Sequence, residues 1–243
     1  MTMGRIKGAI GIVVTAFVLC AAGPYSGRLS PGDLRHIRTV AVISAVGHSF
    51  LFQHVSNKAF EWLGPPDSHF LEISDWALDP LVTREVTAAL AKHFAIKPVV
   101  FEPADFSSWD YSLLRRDTLD LNVDPAIDAY VLILRDWRAD EIGDSVHALG
   151  GLGLYRRDGG PAKYGVFASY RIVVVDAITG DTIASRAALL RDGALPWLPA
   201  DPSLWPKTQN DLTDAQRATL QAEETKLIEA TLLRTLAQMN LAR

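Results

Sequence analysis

The sequence predicts a single α/β domain whose mixed β-sheet is flanked by helices. Three observations predict it. The runs at 37–46 and 129–134 are almost continuously apolar and rich in branched residues, as strands buried on both faces are. A strand–helix–strand unit and tight hairpins occur in the same chain, which calls for parallel and antiparallel pairs in one sheet. A long amphipathic helix closes the chain, with Leu220, Leu227, Ile228, Leu232 and Leu236 in helical register.

The elements follow in order. After the 37–46 strand, apolar residues at 50, 51, 52, 55, 59, 60, 62 and 63 suggest a strand pair turning near Asn57. Gly64-Pro65-Pro66-Asp67 is a turn, and 70–73 is one more short strand. Asp79 has the chemistry of an N-cap and Pro80 that of a first helical residue. Leu81, Val82, Val86, Leu90, His93 and Phe94 then form one stripe of a helix that ends before Pro98. Residues 98–101 read as a strand and 109–121 as a helix with Leu113 and Leu114 inward. The segments 145–155 and 164–175 read as a long hairpin around Asp158-Gly159-Gly160. A second turn at Ile178-Thr179-Gly180-Asp181 leads into a strand over 182–190. The stretch 193–210 carries Pro196, Pro199, Pro202 and Pro206 with Trp197 and Trp205. Thr213 and Gln216 have capping-box spacing at the start of the last helix, 211–240.

Of the 243 residues, 49% are hydrophobic and 21% charged, which excludes a disordered chain and is enough to build a sizeable core. The net charge of −4 offers no basic surplus, so nucleic acid is not an expected partner. One cysteine, Cys20, excludes an internal disulfide and a cysteine-rich metal site.

The N-terminus reads as an address. Arg5 and Lys7 precede an uncharged, mostly apolar run over 9–22 that Gly23-Pro24 breaks. A membrane-crossing helix needs about 20 apolar residues, so this shorter run reads as a signal peptide over 1–22 rather than an anchor. Cys20 occupies the place of an acylated lipoprotein cysteine, but Leu19 before it is large. Cleavage after Ala22, with Cys20 and Ala22 as the small residues, fits better than lipidation of Cys20. Membrane attachment is expected only if Cys20 is acylated or the signal is retained. Residues 23–36, with Pro24, Gly27, Pro31 and Gly32, read as a tether, and 37–243 as the domain.

Chemical motifs are sparse. Gly47-His48-Ser49 after a strand is similar to a nucleophile elbow, but Leu51 stands where the last glycine belongs. His36, His48, His54 and His69 lie without the i, i+4 spacing of a metal pair. Gly150-Gly151-Leu152-Gly153 and Gly159-Gly160 match no phosphate-loop spacing. No catalytic residue, metal site or cofactor is therefore expected. The exposed-looking candidates for a partner contact are Trp197 and Trp205, on a segment that proline keeps extended.

The order of elements carries a resemblance. The strand Thr39-Val40-Ala41-Val42-Ile43, the helix over 80–94, the apolar strand over 129–134 and the hairpin Ile172-Val173-Val174-Val175-Asp176-Ala177-Ile178-Thr179-Gly180-Asp181-Thr182-Ile183 follow one another. Over about 37–190 this resembles the envelope lipoproteins that include the curli-secretion channel subunit and the penicillin-binding-protein activators. The resemblance implies a compact α/β domain used for protein contacts. The expected function is that of a non-catalytic, exported envelope protein of the periplasm that binds an envelope partner or itself. The alternative is a hydrolase acting on an envelope substrate.

Overall fold

The computed structural model describes residues 27–56, 67–101, 124–144, 147–159, 162–206 and 212–242. It is a mixed α/β fold, as the strand character and the mixed connections require. The signal peptide expected over 1–22 with Cys20, the helix expected over 109–121 and the turn expected near Asn57 lie outside the described residues.

The chain enters through a short helix α1 (Asp33–His36) and strands β1 (Thr39–Ala45), β2 (Ser49–Val55) and β3 (Asp67–Glu72). Helix α2 (Leu78–Leu90), the two-residue strand β4 (Ala95–Ile96), β5 (Ala129–Arg135) and β6 (Trp137–Ala139) follow. The long strands β7 (Ala148–Arg157) and β8 (Lys163–Asp176) form the expected hairpin, then come β9 (Thr182–Ala187), β10 (Trp197–Pro199) and α3 (Asp214–Gln238). The strands form one 10-stranded sheet in which β8 is the common member. Its first half lies between β7 and β10, and its second half between β5 and β9. Beyond β5, β1 adds in parallel; beyond β7, β2 adds in parallel and β3 antiparallel. The partner of β8 thus changes at Ser169–Tyr170, and the sheet forks there.

Hydrophobic burial holds the layers together. One face of the sheet packs on α2 and α3 through Val82, Val86, Leu227, Leu232, Val131 and Ile133. The opposite face carries two smaller clusters, one on β1, β5 and the second half of β8, the other on β2, β7 and the first half of β8. The capping box at Thr213 forms as expected, with Gln216 N–H donating to Thr213 Oγ1 at 3.2 Å and Thr213 N–H to Gln216 Oε1 at 2.9 Å.

Several elements differ from expectation. Asp79 is not the N-cap of α2; Ala77, at φ 52°, holds that place, and Asp79 lies inside the first turn. The helix ends at Leu90, and the next strand is residues 95–96 rather than 98–101. The ladder to β1 closes with Ala95 N–H on Arg38 O and Lys97 N–H on Val40 O, and Pro98 has no N–H with which to extend it. The strand expected over 182–190 stops at Ala187, and β6 is an additional short strand. The domain also begins inside the stretch read as a tether. Leu29 is 1% exposed, its N–H donates to Met239 O at 3.0 Å, and its carbonyl accepts from Asn240 Nδ2 at 2.9 Å.

Candidate functional site

Two places gather polar side chains. The first is the fork of the sheet, where the Gly47-His48-Ser49 turn joins β1 to β2. Asp79 reaches back from α2 to hold this turn. Its Oδ1 accepts from Ser44 Oγ at 2.6 Å and from Val46 N–H at 2.8 Å, and Gly47 N–H adds a third bond at 3.2 Å. Asp79, two residues past the N-cap, thus finds its partners on the strand end, not on its own helix.

Arg135, the last residue of β5, crosses the fork and donates to Ser49 Oγ. It needs room, and two glycines supply it. A Cβ at Gly151 would lie 2.8 Å from Arg135 Cδ, and its φ of 70° is one that side-chain-bearing residues avoid. A Cβ at Gly150 would lie 2.6 Å from the Trp137 ring. The glycine run therefore makes space for an arginine and a tryptophan, and this accounts for a motif that matched no phosphate loop. Burial lowers the Arg135 guanidinium from its ordinary range, with the charge of Asp79 opposing. Ser49, 8% exposed, faces a guanidinium, which has no lone pair to take its proton. The fork is a polar knot that ties the start of β2 to the end of β5.

The second place is the far end of β2 and β7. His54 Nε2 lies 2.7 Å from Asp158 Oδ2, and Arg156 Nε donates to Asp158 Oδ1 at 2.9 Å. Burial pushes the Asp158 carboxyl up, but the hydrogen bonds from Arg156 and His54 outweigh it and hold it below the usual range. The Arg156 guanidinium lies 5.8 Å from both the Tyr164 and the Trp205 ring centres, in cation–π range. Trp205 also meets Phe52 edge-on at 5.9 Å and His54 at 6.0 Å. His54 and Arg156 keep 23% and 31% of their side-chain surface, so the cluster is half open to solvent.

The two tryptophans thus part company. Trp205 sits in this cluster. Trp197, half-buried, pairs with Phe167 in the β10–β8 ladder and packs against the cluster that holds Leu51, Val55 and Leu195. The proline-rich stretch places it there because β10 must lie flat along β8. The histidines stay apart: His69 stacks on Phe52 at 4.8 Å, and His36 ends α1. Among the described residues no three His, Cys, Asp or Glu side chains gather in a way that could hold a metal ion. Among the same residues no helix is long and apolar enough to cross a membrane.

No family model matches the chain, and no curated protein sequence matches it. A solved structure similar to it is that of protein XCC0632 from Xanthomonas campestris, of the family DUF330. The identity is 10% and the TM-score 0.32, over 83% of this chain and 86% of that one.

Sequence reasoning missed Arg135, Arg156 and Asp158 because nothing in their spacing marks them. In the β2–β7 register His54 stands opposite Arg156, with Asp158 two residues beyond it, and Arg135 reaches Ser49 from a strand that does not pair with β2. It also missed Glu224. This residue lies within the buried stripe of α3, between Leu220 and Ile228, and is fully buried, accepting from Gly153 N–H at 3.1 Å. Burial pushes its carboxyl well above the usual range, with the Gly153 bond opposing.

Proposed function

We propose that this protein is an exported protein of the cell envelope that works through contacts with another envelope protein or a second copy of itself. The leader over 1–22 supports export, and the likeness to envelope lipoproteins supports the class. The observation that carries the contact reading is the half-open group of Trp205, Arg156 and Tyr164. These are the residue types that dominate binding energy at protein interfaces, because each offers wide apolar area and a polar tip. Here they are held in place by the His54–Asp158 pair, so little side-chain freedom is lost on docking.

Arg156→Ala and Tyr164→Ala test this, since both lie at the rim of the core. The expected outcome is an unchanged melting temperature together with loss of the protein cross-linked to the wild-type chain in the envelope, or of its self-association in sedimentation. Variants that retain the same cross-links and the same association state refute the contact surface. Activity-based labelling of Ser49 would instead favour the hydrolase reading.

A further inference from the structure

Helix α3 buries one face against the sheet through Leu220, Leu227, Leu232 and Leu236, and its opposite face is open to solvent. The solvent face of a helix is ordinarily covered by charged and polar side chains. On α3 the exposed residues from 215 to 237 carry two charges only, Lys226 and Glu229. Among them Leu233, a large apolar side chain, is 49% exposed. The spacing of this face is that of a helix–helix seam. Ala215, Thr219, Ala222, Lys226, Glu229 and Leu233 are all exposed and fall alternately four and three residues apart. That alternation keeps one stripe turned toward a second helix.

The two charges stand at the middle of the seam and are little used within the chain. Lys226 Nζ makes one long ion pair, 3.7 Å from Glu223 Oε2, and Glu229 has no ion pair or hydrogen bond among the described residues. A second copy of the chain supplies the complement in one orientation. An antiparallel pairing about a twofold axis between Lys226 and Glu229 sets Lys226 opposite the partner's Glu229. The same axis sets Glu229 opposite the partner's Lys226. The next layer outward sets Leu233 opposite the partner's Ala222, so the largest side chain of the seam meets one of the smallest. A parallel pairing would set lysine on lysine and glutamate on glutamate, and it would leave alanine facing alanine. Charge and size are therefore both matched by the chain's own sequence, and only in the antiparallel arrangement.

We propose that the exposed seam of α3 pairs antiparallel with the same seam of a second copy, forming a twofold dimer. The layers from 222 to 233 make a small interface, in the class of weak and reversible association. The seam shares no residue with the Trp205 group, which the dimer leaves to an envelope partner. Sedimentation of the purified full chain from micromolar to submillimolar concentration measures the dimer. Lys226→Glu and Glu229→Lys, both on the helix surface, are expected to melt like wild type and to weaken dimerisation about tenfold. Each counts twice, because the twofold axis repeats every lost pair and every new like-charge contact. The double variant Lys226→Glu/Glu229→Lys restores opposite charges across the axis and is expected to recover wild-type association. Register is tested with Ala222→Cys and Leu233→Cys together in a Cys20→Ser chain. These positions lie about 16 Å apart along one helix, too far to bridge within a chain, so oxidation is expected to give a covalent dimer linked 222 to 233. Absence of a dimer overturns the proposal, as does a double variant no better than the single ones, or links of 222 to 222 and 233 to 233. A dimer that is lost in Arg156→Ala would place the self-contact at the Trp205 group and overturns it as well.

Discussion

Replacing Glu224 by Gln should remove one pH-dependent contribution to stability. Glu224 is 0% exposed, its Oε1 holds Gly153 N–H at 3.1 Å, and its Oε2 has no partner among the described residues. Such a carboxyl is kept protonated by burial, so its folded-state pKa is raised above the ordinary 4.5. For a raised acid the folded state binds the extra proton. Its contribution is therefore fully present below the unfolded pKa and is lost as pH rises toward the folded one. Across that window one proton separates the two states, so stability falls by about 1.4 kcal/mol per pH unit from this group alone. Gln keeps the acceptor for Gly153 and cannot ionise. Its buried NH₂ costs about 1–3 kcal/mol if unmatched, so at pH 4 the variant is expected to equal or fall below the wild type. Urea denaturation at half-unit steps from pH 4 to 8 measures the difference. The expected result is a stability gap that moves in favour of Glu224→Gln as pH rises above 4.5. A gap that stays constant over this range would show that the carboxyl is hydrated or ion-paired, and would refute the buried-acid reasoning.

The remaining expectations are simpler. Ile133, 0% exposed in the middle of β5, should cost about 2–5 kcal/mol when changed to Ala, and a loss below about 0.5 kcal/mol in denaturant melts would place β5 at the surface. Ser49→Ala removes one acceptor of the half-buried Arg135 guanidinium and should destabilise by about 1–3 kcal/mol; unchanged stability combined with lost biological activity would revive a nucleophilic role. Gly151→Ala puts a side chain at φ 70° against Arg135 and should cost at least about 1–2 kcal/mol, which thermal melting with and without Arg135→Ala would resolve. Intact mass of the exported chain should begin at Gly23; a diacylglyceryl mass on Cys20 would show lipidation instead.

Period and composition carried the elements whose stability is local or whose burial is complete. The apolar runs of β1 and β5 read as buried strands because both faces are covered, and the β7–β8 hairpin read from its Asp-Gly turn. The last helix read from its 3.6-residue stripe and its Thr213–Gln216 box, whose hydrogen bonds lie within a single turn. Each of these signals is a property of neighbouring residues, so the sequence by itself determined them.

What only the tertiary structure decided are the pairings between residues far apart in the chain. Asp79 looked like a helix cap and became the clasp of a turn 33 residues earlier, because three donors on β1 and its turn outcompete its own helix. Gly150 and Gly151 match no phosphate-loop spacing, and the reason for them is the close approach of the Trp137 and Arg135 side chains. Trp197 and Trp205 looked alike in sequence and separated in space. One lies inside the sheet packing; the other stands half open beside Arg156, a residue of a strand that only register places there. The physical reason is common to all of them. Hydrogen bonds and charge contacts over long sequence separation depend on which strands lie side by side, and a linear pattern records the face a residue takes but not the neighbour it meets.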